Sequence, residues 1–348
     1  MTEIALVVGI ALAALVLAGW LYQLWGSARD RRRFPLPGRL IEVGRGRLHL
    51  LEAGEGTPAV ILEAGIAASC LNWTSLRAEL ARFTRACTYD RASLGWSEAA
   101  GSPRTISEVV SDLHALLAAA RIPPPFVMAG HSFGGLVVRY YAVQHPGEVA
   151  GLVLVDPLAA NEWRRPSEAQ SKTLDRGVQL ARRGALLARF GVVRFALALL
   201  TAGARRIPQM MARIASSGSG EFTISRLLRE VRKMPPETWP VVRAHWCQPK
   251  CFLGMAQYLE SLAAGSQEAA SMGELPASIP VTILSAATAT PEQRAERDAI
   301  ARHSQRGKHI IGPNSGHWVH LDEPELVVHA IREMVTAAPS VSAGNAHQ

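Results

Sequence analysis

The chain has 348 residues, 48% of them hydrophobic, and a net charge of +8 at pH 7. That is enough apolar material for a sizeable core in one large domain, or in one domain carrying an insertion. Four cysteines (Cys70, Cys87, Cys247 and Cys251) are too few and too scattered for a disulfide scaffold, and Cys247 and Cys251, with His245 nearby, lack a second ligand pair at zinc spacing, so no metal and no cofactor are expected.

Ile4 through Trp25 holds no charged residue and one strongly polar one, Gln23. At helical rise this run is roughly 33 Å long, enough to cross a bilayer core. Trp20, Tyr22 and Trp25 gather at one end like an interfacial belt, and Arg29, Arg31, Arg32 and Arg33 follow. A cleaved leader would carry basic residues before the run and a small-residue cleavage site after it, and neither is clear. Residues 1–28 therefore read as an uncleaved single-pass anchor. The positive-inside rule puts the arginines, and the domain they lead into, in the cytoplasm. Residues 29–39 read as a linker, stiffened by Phe34-Pro35-Leu36-Pro37-Gly38.

Strands are expected at 40–43, 47–52 and 59–62, joined by Gly44-Arg45-Gly46 and by Ala53-Gly54-Glu55-Gly56-Thr57-Pro58, both read as hairpin turns. A helix at 72–82, a strand at 84–89 and an amphipathic helix at 106–120 come next. A strand from Phe126, a helix from 136 and a buried-type strand at 149–155 complete residues 40–157. Strands alternating with helices argue for an α/β fold with a mostly parallel sheet covered on both faces. From 158 to 275 the alternation stops and the pattern is helical and basic. Between Arg164 and Lys250 there are 17 Lys/Arg and 5 Asp/Glu, a local +12 against +8 for the whole chain. Such a block inside a sheet domain is a cap or lid. Sheet pattern returns over 276–336, with strands at 280–286 and 308–311 and helices at 291–303 and 323–335. Residues 337–348 read as a flexible tail.

Gly130-His131-Ser132-Phe133-Gly134-Gly135 sits between strand and helix and is the strongest chemical signal. A Gly-x-Ser-x-Gly in that setting is a nucleophile elbow: a strained turn that holds the serine Oγ at the strand's carboxyl end and the helix N-terminus. A serine hydroxyl needs a base, and the base needs an orienting carboxylate. In elbow enzymes the chain order is Ser, acid, His. His317 fits, in a loop after the last short strand. His320 is its nearest competitor, His131 reads as packing and His49 as structural. Backbone N–H groups of Phe133 and Ile66 are the expected oxyanion donors. Glu63, near the same mouth, reads as tying down the oxyanion loop, with modulation of His317 as the other option.

Over about residues 40–335 the chain resembles the α/β-hydrolase superfamily. The resemblance rests on the elbow, on Glu63-Ala64-Gly65-Ile66, on Gly316-His317 and on Val153-Leu154-Val155-Asp156-Pro157. It rests also on Tyr89-Asp90-Arg91-Ala92-Ser93-Leu94-Gly95-Trp96-Ser97, which looks like the family's Tyr-Asp-x-x-Gly-x-Gly-x-Ser with Ser93 in place of the first glycine. Most members place the acid after the strand at 281–286, where this chain has Ala287-Thr288-Ala289-Thr290-Pro291 and no carboxylate before Glu292. Some relatives carry it after the preceding strand, where Asp156 stands. Asp156 is the favoured acid and Glu292 the reserve; Asp90 reads as structural, paired with Arg91, and Asp322 as standing at the start of the last helix. The resemblance implies a cofactor-free serine esterase working through an acyl-enzyme on a small hydrophobic ester. Amidase, thioesterase, acyltransferase and perhydrolase chemistry remain open on the same triad, as does a non-catalytic membrane-tethered binding protein. The basic cap, around 184–200 with Arg205 and Arg206, reads as cover for the pocket or as a contact to an anionic membrane. No aromatic platform accompanies the charge, so nucleic acid is not an expected partner. The oligomeric state is left open.

Overall fold

In the computed structural model the described residues are 2–101, 104–158, 160–201, 231–271 and 273–338; Arg205, Arg206 and most of the C-terminal tail fall outside them. One eight-stranded sheet forms the centre. Its strands are β1 (Arg39–Glu42), β2 (Arg47–Ala53), β3 (Ala59–Glu63), β4 (Ala86–Asp90), β5 (Phe126–His131), β6 (Val149–Val155), β7 (Val281–Ala286) and β8 (Gly307–Gly312). They lie in the order β1-β2-β4-β3-β5-β6-β7-β8. The first two pairings are antiparallel and all others parallel.

The β1–β2 hairpin forms as expected, closed by Val43 N–H on the Gly46 carbonyl at 3.0 Å. The 53–58 connection is not a hairpin, which corrects the sequence reading. β2 pairs with β4, His49 opposite Asp90, and β3 lies on the far side of β4, parallel to it. The cause is burial: all five residues of β3 are buried, so it needs a strand on either side, and β4 fills the gap that a local hairpin would leave.

Helices cover both faces. On one, α3 (Ile106–Ala119) and α4 (Phe133–Gln144) pack with Leu113, Leu116, Val137 and Tyr141 in the core; on the other, α2 (Thr74–Leu80) and α12 (Pro324–Ala337) pack with Leu76, Leu80, Val327 and Ile331. Local chemistry sets two of the starts. Thr105 and Glu108 form a capping box ahead of α3, and Thr290, Pro291 and Gln293 do the same for α11 (Pro291–His303).

The described cap comprises α5 (Ala160–Arg164), α6 (Glu168–Arg189), α7 (Val192–Thr201), α8 (Trp239–Trp246), α9 (Pro249–Glu260) and α10 (Leu262–Ser271). α9 grips the 90–97 loop of the core. Lys250 Nζ bonds the carbonyls of Gly95 (2.9 Å) and Ser97 (2.5 Å), and the Tyr258 hydroxyl bonds Ala92 (3.0 Å). Ser93 holds φ +70°, the conformation a glycine would take there without strain. Gly254 makes room for its side chain, since a β-carbon at 254 would collide with Ser93 Cβ.

Helix α1 runs from Thr2 to Arg33, so Arg29–Arg33, assigned from sequence to the linker, are helical. It is long and apolar enough to cross a membrane, with a mean hydropathy of 2.7 over its most apolar window, none of it buried. Its last turns bury Gln23, Gly26 and Ser27 against the cap.

Candidate active site

The chain leaves β5 at His131, turns at Ser132 and enters α4 at Phe133. Ser132 has φ 54° and ψ −118°, the strained backbone that an elbow requires. Glycines make the turn possible. A β-carbon at Gly130 would strike the backbone of Gly134, and one at Gly134 would strike the carbonyls of Glu63 and Ala64. The elbow is thus clamped against the 63–66 loop. Ser132 N–H donates to the Val155 carbonyl at 3.0 Å, which carries the β5–β6 ladder up to the nucleophile's own position.

Asp156 follows β6 directly, so it stands one strand away from Ser132 at the same edge, about 4.8 Å across. Its Oδ2 lies 2.6 Å from His317 Nδ1. Its Oδ1 accepts from the Ala286 N–H at 2.9 Å and from Arg297 Nη1 at 2.7 Å. Burial alone would raise the Asp156 pKa; the His317 hydrogen bond and the Arg297 guanidinium outweigh it and hold the carboxyl below its ordinary value. With Nδ1 donating to this carboxylate, neutral His317 keeps its lone pair on Nε2.

His317 is held by its own loop. Gly316 N–H donates to Asp322 Oδ2 at 2.9 Å, and Ala287 N–H to the Ser315 carbonyl at 3.0 Å. His131, beside the nucleophile, donates from Nε2 to the His317 carbonyl at 2.8 Å. Burial, reinforced by His320 and His317, pushes the His131 pKa well below the histidine range and keeps the ring neutral. Ser132 Oγ makes no hydrogen bond to His317 among the described contacts. His317 is linked to the elbow through its neighbours, His131 on one side and Asp156 on the other, and both Ser132 and His317 are half-buried.

Arg91 anchors the 63–66 loop. Its guanidinium pairs with Glu63 and bonds three successive carbonyls: Ala64 (2.7 Å), Gly65 and Ile66 (3.1 Å). A trans peptide points its C=O and N–H in opposite directions. Drawing the Gly65 carbonyl to Arg91 therefore turns the Ile66 N–H away from Arg91. Neither that N–H nor the Phe133 N–H at the start of α4 has an acceptor among the described residues. Glu63 is buried and takes a further hydrogen bond from the Tyr89 hydroxyl, so its bonds tie down the loop through Arg91 and none goes to His317 among the described residues.

Other candidates stand apart. Glu292 is exposed in the first turn of α11, its pKa lowered by its own backbone N–H and the Thr290 hydroxyl, and it does not bond His317. His320 is buried among Trp73, His131 and Trp318 with neither ring nitrogen bonded, and burial pushes its pKa down to about 3. It is a packing ring, not a base. Asp90 accepts from His49 Nδ1 (2.8 Å), Cys70 N (2.8 Å) and Trp96 N (3.0 Å), while His49 Nε2 bonds the Pro37 carbonyl at 2.6 Å. His49, Cys70 and Asp90 could face one metal ion, yet both histidine nitrogens are already committed; His114, His145 and Glu148 form a second such group, half-buried. Cys247 and Cys251 join neither group. Arg91, read from sequence as the partner of Asp90, pairs with Glu63 instead, and Arg297 is the positioning residue that motif reading missed.

A strained serine at the carboxyl edge of a mostly parallel sheet, followed at once by a helix, defines an α/β-hydrolase architecture. The chain belongs to the Alpha/beta hydrolase family, whose model matches residues 60–330. It is 25% identical over 290 residues to the sn-1-specific diacylglycerol lipase ABHD11 of Mus musculus, covering 81% of this chain and 82% of that protein. It is 33% identical to YqjL of Bacillus subtilis over 104 residues, 30% of this chain and 41% of that one. The chain spans less than half the length of several other curated relatives it matches. Among solved structures, a thermophilic esterase from Thermogutta terrifontis superimposes with a TM-score of 0.56 at 21% identity, over 86% of this chain and 97% of that one. A putative epoxide hydrolase from Pseudomonas aeruginosa gives 0.64 at 16% identity, over 85% and 97%. These likenesses show the fold.

Proposed function

We propose that this hydrolase is membrane-anchored and cleaves carboxylic esters through an acyl-enzyme. One observation carries the reading: the 2.6 Å bond between His317 Nδ1 and Asp156 Oδ2, one strand from a strained Ser132. In this reading Ser132 is the nucleophile, His317 the general base, Asp156 its orienter, and the Ile66 and Phe133 N–H groups the oxyanion donors. His317 Nε2 takes the Ser132 proton as Oγ attacks the ester carbonyl. The negative oxygen forms against the two N–H groups, each worth about 3–4 kcal/mol there. Collapse expels the alcohol, protonated by the imidazolium. Water, deprotonated by His317, then attacks the acyl-serine and frees the acid.

A hydrophobic ester suits a site carried at the bilayer surface, and the lipase named among the relatives supports it. Ile4–Trp25 crosses the bilayer, and the arginines that follow hold the hydrolase domain on the cytoplasmic side. Ser132→Ala in the full-length protein is expected to abolish both p-nitrophenyl ester turnover and labelling by a fluorophosphonate probe, with an unchanged thermal unfolding midpoint. Labelling retained at the elbow of that variant would overturn the assignment.

A further inference from the structure

Where α1 leaves its apolar run it meets the cap in a cleft of about 160 Å³. One helical face of α1 lines it (Trp25, Arg29, Asp30 and Arg33), and Arg194 and Arg243 of the cap close the other side. Arg194 is structural: it pairs with Asp30 at 2.6 Å and bonds Gln23 at 3.0 Å, locking α7 to the anchor. That pairing consumes the cleft's one carboxylate. Arg29, Arg33 and Arg243 have no carboxylate partner among the described residues; Arg29 lies over the Trp25 ring at 5.5 Å, and Arg243 bonds the Thr201 hydroxyl at 3.2 Å. Four guanidinium groups around one carboxylate leave a net +3 in a space that would hold a phosphate group and a few waters.

Its height suits the ligand. Arg29 lies one helical turn, roughly 6 Å, beyond Trp25, and the headgroup layer of a bilayer is about 5–8 Å deep. On the two helices that meet at the cleft, α7 presents Phe195 at 50% exposure and α1 presents Trp25 at 60%, so exposed apolar side chains accompany the charges. We propose that this cleft binds the phosphate of an anionic phospholipid and thereby docks the cap on the bilayer surface. The proposal rests on the anchor reading given above, and forked guanidinium groups are suited to the phosphate oxygens.

The test uses the full-length protein in detergent, equilibrated with equal amounts of phosphatidylglycerol and phosphatidylcholine, with retained lipid measured by mass spectrometry. Wild type is expected to retain phosphatidylglycerol preferentially. Arg243→Gln and Arg33→Gln should each lower that preference about fivefold. Arg189→Gln, which removes the same charge from the exposed end of α6, should not change it. Absence of any preference, or an equal loss in Arg189→Gln, would overturn the site. Displacement of the lipid by soluble glycerol 3-phosphate would reassign it to a free phosphate. Alkaline carbonate extraction of membranes separates the two readings: a chain that washes off refutes the anchor and the site with it, while a chain that stays but shows no preference refutes the site alone.

Discussion

Asp156→Asn tests the proposed base directly, because the structure dictates how the new amide would sit. Two donors, Ala286 N–H at 2.9 Å and Arg297 Nη1 at 2.7 Å, point at the Oδ1 position. The amide oxygen must take that place, since an NH₂ there would face two donors. The NH₂ is then forced toward His317 Nδ1, at the position of an oxygen now 2.6 Å away. It donates to Nδ1, the ring proton moves to Nε2, and the nitrogen that should accept from Ser132 no longer can. A correctly held general base is worth about 10²–10⁴ in rate, and a wrong tautomer in a Ser-His-Asp triad costs about 10⁴. The expected loss in kcat is on the order of 10³–10⁴, or about 4–5.5 kcal/mol. Stability should fall by about 3–5 kcal/mol: both donors keep an acceptor, but the buried Arg297 guanidinium loses its counter-charge. Steady-state turnover of a p-nitrophenyl ester, with thermal unfolding alongside, reads both quantities. A variant within about tenfold of wild type would refute the tautomer argument, and an equal loss in Glu292→Gln would move the acid to α11.

Gly134→Ala sets helix propensity against close packing. Propensity favours alanine by about 1 kcal/mol, but its β-carbon meets the carbonyls of Glu63 and Ala64, so kcat should fall by about 10²–10³ as the oxyanion loop is pushed off; a stabilised, fully active variant would refute the clamp. Arg91→Lys keeps a charge beside Glu63 but cannot fork to three carbonyls, and kcat should drop about 10²-fold with KM little changed, as measured on the same ester. Asp156 has its pKa depressed in the fold, so the stability it contributes is present above its unfolded value near 3.9 and is lost as pH falls through the folded value. The difference in unfolding free energy between wild type and Asp156→Asn should therefore be flat near neutrality and shrink below about pH 4, as chemical denaturation at several pH values would show.

The local parts of this fold were legible because local chemistry fixes them. The strand Val149–Val155 and the helix Pro291–His303 have the bounds read from sequence, the first from an unbroken apolar run and the second from a Thr-Pro start. The elbow was legible for the same reason, and the gap in carboxylates after β7 directed attention to Asp156. The β2–β3 connection was misread because Gly54, Gly56 and Pro58 specify a reversal of direction but not a partner. Which strand lies beside β2 is decided by the burial of β3, a non-local quantity. Arg297 was missed since it looks like any other arginine of α11. One signal was available: it lies four residues before Ala301, and these two are the buried positions of that helix.

Arg91 and Arg297 occupy equivalent logical places on opposite sides of Ser132. Each is almost fully buried, each pairs with a buried carboxylate, and each also bonds backbone carbonyls of a neighbouring loop: Ala64, Gly65 and Ile66 for Arg91, and Pro157 (2.8 Å) for Arg297, which bonds the Ser285 hydroxyl (2.9 Å) as well. Removing two such charges from water costs several kcal/mol per ion, and an apolar replacement of similar volume is often as stable. Stability is therefore a weak explanation for either pair. Geometry is a better one. A guanidinium fixes several acceptors at once in a plane, which an apolar side chain cannot do. On one side that plane turns the Ile66 N–H away from Arg91; on the other it holds one Asp156 oxygen while the second faces His317. In the proposed mechanism, the direction of one oxyanion donor and the position of the base's proton would both follow from these two arginines.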